Sequence, residues 1–289
     1  MIGITGASGN LGKAILEQLS RVGGQRPDIV ACSRKPGRDL SALASETRYA
    51  DFAERESLAD AFRGLDTLLL VSVESSDDVR VDLHCNAINA AKAAGVRRVV
   101  YTSFFDVDPA SPSFVAKVHR DTEAALMASG LSWVMLRDGP YLDNSARRMA
   151  LAAKDTGLFR WSAGEAALPF ISRGDLAAAA AAAILSNHDR VAFRLAGPQL
   201  LTFADLAGLV SARLGQLVTY QAISDAEFAE ELRMNGLPDD LVHRRVAYAQ
   251  AMRLGYMSDL NDDFYKLTGR RPEDARTALQ SIDLSEPVH

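Results

Sequence analysis

The stretch ITGASGNLGKAIL, beginning at residue 4, constrains this chain more than any other, because Gly6, Gly9 and Gly12 stand three apart between an apolar run and a helical pattern. Glycine serves at a strand-to-helix turn where the chain bends too tightly for a Cβ, or where backbone must touch a ligand. The first N–H groups of a helix lack intrahelical partners and attract anions. Ser8, Asn10 and Leu11 complete the turn, so the segment reads as a cradle for the pyrophosphate of a dinucleotide. Its spacing is GxxGxxG rather than GxGxxG, and three glycines alone also fit an ordinary turn. The placement, strand before and helix after in an alternating chain, favours the cradle.

The alternation continues. Short β-branched runs at 2–5, 29–33, 67–73, 99–103 and 133–137 are separated by helical patterns at 11–21, 55–62, 79–94 and 119–129, as in βαβ units on a parallel sheet. Gly95 and Gly130 stand where helices should stop. The alanine-rich stretch 176–185 reads as a tightly packed helix with Asp175 as its N-cap, and VAFRLAG at 191–197 as one more strand. The expected fold is α/β: a Rossmann-like doubly wound parallel sheet with a smaller, mostly helical lobe for the substrate. Residues 1–145 and 172–198 are assigned to the dinucleotide-binding domain, and 146–171 and 199–289 to the lobe.

Composition narrows the function classes. A net charge of −5 offers no concentrated basic surface, which speaks against nucleic acid as a partner. Cys32 and Cys85 lie in apolar elements and suggest neither a disulfide nor a thiolate metal site, which fits a reducing cytoplasm. The longest apolar tract, LAAAAAAAIL, is far short of the roughly 20 residues a membrane span needs. The histidines at 84, 119, 188, 243 and 289 lack metal-ligand spacing, so no metal is expected.

The end of the second strand indicates which dinucleotide. An NAD site commonly places an acidic residue there for the ribose 2′-hydroxyl, whereas this chain has Ser33, Arg34 and Lys35. Two cations suit a 2′-phosphate and point to NADP(H) over NAD(H); the alternative is a solvated basic turn. Asp51, with Phe52 beside it in YADF, is placed to accept from the adenine amino group, or is simply an acidic loop residue.

Together, GASGNLG, YTSF at 101–104, HRDTE at 119–123, LRDGPYLDN at 136–144, ISRGDLA at 171–177, FRLAGPQLLTFADLA and LGQLVTY resemble the NmrA-like branch of the atypical short-chain dehydrogenases/reductases, in particular its type 2 quinone oxidoreductase and triphenylmethane reductase group. The relatives of that branch use a YxxxK pair, the tyrosine protonating a reduced carbonyl. Counted back from Glu123, His119 holds the lysine position and Val115 the tyrosine position, so the pair is absent. Alcohol–ketone interconversion, which needs a proton as hydride arrives, is disfavoured, and an acceptor that stabilises negative charge itself is favoured.

The resemblance implies further roles. His119 would hydrogen-bond the cofactor ribose or supply a proton, unless it is only a surface histidine at a helix start; Lys117 is a second catalytic candidate. Glu123 is read as a local helix partner. Ser72, Val73 and Glu74 after the strand at 67–73, with Thr102 and Ser103, should border the nicotinamide at the strands' carboxyl ends. Phe104 and Phe105 form an apolar wall for a flat acceptor or a pair of core rings. Pro140 and Tyr141 belong to the cofactor-and-substrate loop, with Tyr141 facing the pocket as a catalytic candidate and Asn144 lining it. Arg173 and Asp175 would fix the helix beneath that loop. The function implied is an NADPH-dependent oxidoreductase with a small, quinone-like acceptor, possible as a homodimer. The alternative is a non-catalytic NADP(H) sensor that regulates a protein partner.

Overall fold

A computed structural model describes residues 1–22, 27–73, 75 and 77–285. The first part of the chain runs β1 (Ile2–Ile4), α1 (Asn10–Ser20), β2 (Ile29–Ser33), α2 (Arg38–Ser41), β3 (Glu46–Tyr49), α3 (Arg55–Ala61), β4 (Thr67–Leu70), α4 (Asp77–Ala93), β5 (Arg98–Phe104), α5 (Phe114–Ala128) and β6 (Ser132–Asp138). Next come α6 (Leu142–Asp155), β7 (Leu158–Trp161), β8 (Ala167–Leu168), α7 (Arg173–Leu185), β9 (Val191–Leu195) and β10 (Leu201–Thr202). The chain ends with α8 (Phe203–Leu214), β11 (Thr219–Ala222), α9 (Asp225–Met234), α10 (Asp239–Arg253), α11 (Asp263–Thr268) and α12 (Ala275–Ser281).

Seven strands form one sheet in the order β3-β2-β1-β4-β5-β6-β9, and every pairing in it is parallel. Successive residues of a strand face opposite sides, so each central strand feeds two cores. On one side Ile4, Ala31, Leu69, Val100 and Leu136 pack with α1, α7 and α11. On the other, Val30, Leu68, Leu70, Val99 and Met135 pack with α3, α4 and α5. The sheet is therefore buried on both faces, and its strands read as continuous apolar runs. A third core, around Phe159, Trp161, Phe203 and Phe228, gathers α6, α8, α9, α10 and α12. The doubly wound α/β fold expected from the sequence is the fold observed.

Several local expectations are corrected. Ser172, not Asp175, caps α7: its hydroxyl accepts from the Asp175 N–H at 3.0 Å. Asp175 lies in the first turn, buried, where it accepts from the Glu273 N–H at 2.9 Å and pairs with Arg270 at 2.6 Å, tying α7 to the C-terminal segment. The fifth helix begins at Phe114 rather than 119, behind Ser113 as N-cap. Strand β4 stops at Leu70 because the N–H groups of Val71 and Ser72 turn to the hydroxyls of Thr5 and Thr102, both at 2.9 Å. The helical remainder also contains strand, since β10 pairs with β8 and β11 with β7.

Candidate active site

The glycine turn is built for close approach. Gly6 has φ +60°, a conformation that excludes most side chains, and a Cβ on Gly12 would stand 2.3 Å from the Gly6 carbonyl oxygen and 2.9 Å from the Ala7 Cα. The N-cap of α1 is Gly9, which brings no side-chain acceptor to the helix's first N–H groups, and the first turn carries no acidic residue. Those donors are left for an anion, with the helix dipole behind them. Ser8 and Ser33 join across the turn, Ser33 Oγ donating to Ser8 Oγ at 2.7 Å. Arg34 and Lys35 project beyond β2, exposed, and have no salt-bridge partner among the described residues. A diphosphate fits the first feature and a 2′-phosphate the second. Asp51 Oδ1 caps its own loop by accepting from the Ala53 N–H, while the Phe52 side chain is buried against His84.

At the carboxyl ends of β4 and β5, α4 and α5 close over a buried polar cluster. Arg80 and His84 lie one turn apart on α4; His119 and Thr122 lie one turn apart on α5. The Val73 N–H donates to His84 Nε2 at 3.1 Å, so the ring proton sits on Nδ1 and is donated to Thr122 Oγ1 at 3.0 Å. Thr122 in turn donates to the Val118 carbonyl at 2.9 Å. Arg80 Nη2 donates to Ser72 Oγ at 2.8 Å and to His119 Nε2 at 3.2 Å, which leaves His119 Nδ1–H to donate to Tyr101 Oη at 2.8 Å. Burial holds both imidazoles neutral, reinforced by the Arg80 charge: His84 is pushed down to about 3, and His119 falls well below its ordinary value. His119 is thus neither a surface residue nor a titrating acid near pH 7.

Beneath the cluster Glu123 is buried and bound bidentately by Arg137, at 2.9 and 2.7 Å, while Ser103 Oγ donates to it at 2.6 Å. Its partners come from β5 and β6, not from its own helix as the sequence suggested. The Thr102 and Ser103 hydroxyls are both committed to this framework.

The outer wall comes from Phe104, whose ring lies 5.9 Å from His119 and 6.1 Å from Tyr248 of α10. Phe105 is a core ring instead: it is fully buried with the Arg194 guanidinium 4.1 Å above its face. After β6, buried Pro140 and half-buried Tyr141 are strapped to Ile171 by the Ile171 N–H to Pro140 carbonyl bond at 3.0 Å. Tyr141 donates to Asp138 Oδ2 at 2.8 Å. Burial drives the Asp138 carboxyl up to about 7, and burial followed by the Asp138 charge drives the Tyr141 phenol well above its ordinary value. Asn144 Oδ1 accepts from Arg173 Nη2 at 2.9 Å, and Arg173 also pairs with Asp143 at 3.2 Å, so Arg173 does anchor this loop.

Two sequence expectations fall outside the cluster. Lys117 lies on the solvent side of α5, paired with Asp121 at 2.6 Å, because two helical residues differ by about 200° in direction. Glu74 lies outside the described residues. Arg80, His84, Tyr101, Thr122 and Asp138 escaped the sequence reading. The i,i+4 spacing of Arg80 and His84 was the available signal, on a helix with little amphipathic contrast.

A doubly wound sheet with an anion cradle at its first βα turn defines a dinucleotide-binding protein. Residues 6–187 match the model of the NAD(P)H-binding family, and the chain belongs to that family. It is 39% identical over 244 residues to quinone oxidoreductase 2 of Escherichia coli, covering 83% of this chain and 84% of that protein. The crystal structure of that NADPH-dependent enzyme with NADPH superposes with a TM-score of 0.87 over 97% of this chain and 99% of that one, at 36% identity. The Citrobacter sp. triphenylmethane reductase bound to NADP(H) gives 0.85 at 29% identity over 98% of this chain and 100% of that one. An NAD(P)H azoreductase of Xenophilus azovorans is 27% identical, covering 93% of each chain. The resemblance read from the motifs is borne out. Among the described residues no helix is long and apolar enough to cross a membrane, and no group of three residues could hold a metal.

Proposed function

We propose that this NAD(P)H-dependent reductase works in the cytoplasm, prefers NADPH, and reduces a flat, conjugated electrophile of quinone type. One observation carries the reading: an aromatic wall stands beside a cluster of Arg80, His84, Tyr101, His119 and Thr122, none of which is an acid ready to release a proton near neutral pH. Val115 occupies the place of the family's tyrosine, His119 is neutral, and burial pushes the Tyr101 phenol up, well above its ordinary range. When bound, the nicotinamide would supply hydride. The backbone N–H groups of Asn10, Leu11 and Gly12 would hold the pyrophosphate, Arg34 and Lys35 the 2′-phosphate, and Ser72 and Val73 would border the nicotinamide. Residues 146–171 and 199–289 would close over the acceptor, with Tyr248 reaching Phe104 from α10. The protein's share is orientation, exclusion of water and placement of charge.

Steady-state oxidation of NADPH and NADH against a panel of quinones and a triphenylmethane dye tests the whole reading. Turnover with NADPH well above NADH is expected; tight cofactor binding with no turnover would favour the sensor. For the 2′-phosphate, Arg34→Glu should weaken NADPH binding by at least about tenfold, the worth of one charge-assisted hydrogen bond, and leave NADH binding unchanged. Equal weakening of both cofactors would overturn that assignment.

Because His119 does not titrate near neutrality, the pH profile of kcat should show no break near pH 6.5. His119→Ala should cost roughly tenfold in kcat through loss of support for Arg80, less than the 10²–10⁴ typical of a lost general acid. A break near 6.5 that vanishes in His119→Ala would restore it as the proton donor.

A further inference from the structure

The cation of this site comes from an unexpected element. In the family's relatives a lysine on the fifth helix stands at the position of His119, and here that position is a neutral imidazole. The guanidinium of Arg80 reaches across from α4 and ends 3.2 Å from His119 Nε2, and the Phe104 ring lies 5.9 Å from the same imidazole. Arg80 has no carboxylate partner among the described residues: Glu123, the carboxylate under the cluster, is bound by Arg137 and Ser103. Its Nη2 satisfies Ser72 and His119, yet its Nε is buried with no partner among the described residues. A half-buried guanidinium with no counter-charge among the described residues and an unused buried donor is a costly arrangement unless an electron-rich group arrives to complete it.

We propose that Arg80 is a catalytic residue that binds the anionic oxygen formed on the acceptor during reduction, an inference that rests on the reductase reading. In the reaction NAD(P)H loses a hydride, two electrons with one proton, and becomes NAD(P)⁺. A quinone receiving that hydride becomes a hydroquinone monoanion, its new electron pair residing on oxygen, and one proton from water completes the product. No group in the cluster supplies that proton in step with hydride, so the charge must be carried until water does. A fixed cation whose hydrogen bonds are preset by Ser72 and His119 stabilises that oxygen more than the neutral carbonyl that precedes it, which is what lowers a barrier. A ribose hydroxyl would gain the same contact before and after transfer and would change only cofactor affinity.

The test pairs turnover with a binding assay that needs no turnover. In the presence of NADP⁺, the wild-type protein should bind 4-nitrophenolate at least tenfold more tightly than uncharged 4-nitroanisole. Arg80→Gln should abolish that preference, lower kcat for quinones about 10- to 100-fold, and leave NADPH affinity within twofold. Arg80→Lys, which retains the charge but not the planar guanidinium whose Nη2 meets Ser72 and His119, should keep most of the phenolate preference and an intermediate kcat. If the Gln variant keeps both the phenolate preference and kcat, or if only NADPH affinity falls, the assignment is wrong. If Gln and Lys lose both equally, Arg80 is a scaffold residue and the assignment is again wrong. Should the wild type turn over no acceptor while its phenolate preference still depends on Arg80, the anion site stands and the reductase reading fails.

Discussion

Gly12→Ala is expected to weaken dinucleotide binding by more than about a hundredfold. The added methyl would lie 2.3 Å from the Gly6 carbonyl oxygen and 2.9 Å from both the Gly6 carbonyl carbon and the Ala7 Cα. All three are backbone atoms, so no side chain can rotate away, and relief requires α1 to move off the turn that aims its N–H groups. Forced overpacking of this kind costs roughly 1–3 kcal/mol even where side chains can adjust, and here the adjustment falls on the binding surface itself. Gly9→Ala is the internal comparison, because its methyl would meet only the Gly6 oxygen, at 3.2 Å. Fluorescence titration with NADPH, beside thermal melts of both variants, should place Gly12→Ala far below Gly9→Ala in affinity. Similar affinities for the two would mean that the turn is not the pyrophosphate cradle.

The contrast between those glycines shows what sequence could and could not reveal. Three glycines at a βα turn are a local signal, and so are the apolar strands and the stops at Gly95 and Gly130, which adopt φ +80° and +82°. Strand β3 gave no such signal: ETRY lies at the sheet edge, largely exposed, so neither an apolar run nor clean alternation marks it. The stretch 142–155 is a helix whose Ala146, Met149 and Ala153 face the third core, a pattern visible in the letters but masked by the charged residues between them. The polar cluster is different in kind. Arg80, Tyr101 and His119 come from three elements and meet only through the packing of α4 and α5 over β5. Burial also changed the reading of His119, since a histidine expected to bond the ribose or supply a proton from a pKa near neutral is a neutral buried acceptor. Local pattern reaches the fold and the glycine turn; the charges of the buried polar cluster depend on desolvation, which is a property of the assembled fold.

The same dependence makes Asp138 the clearest pH probe in the molecule. Its carboxyl, buried at the end of β6, ionises at about 7 instead of 3.8, with desolvation as the cause and the Tyr141 hydroxyl only partly offsetting it. Below pH 4 both folded and unfolded chains hold this proton, and the group contributes no difference. Between about pH 4 and pH 7 the unfolded chain releases the proton while the folded chain keeps it, so stability falls as pH rises and the full penalty is present above 7. A shift of about three units corresponds to roughly 4 kcal/mol, on the order of a thousandfold in the folding equilibrium. Asp138→Asn retains an acceptor for Tyr141 and cannot ionise. Relative to wild type, the variant should gain roughly 4 kcal/mol, or about 10 °C in Tm, between pH 4 and pH 8, with the two proteins closest at the acidic end. Urea unfolding of both proteins across that range isolates the effect, because every other titrating group is common to the two. A stability difference that stays constant with pH would show that Asp138 ionises normally, and would place water or a cation beside its carboxyl.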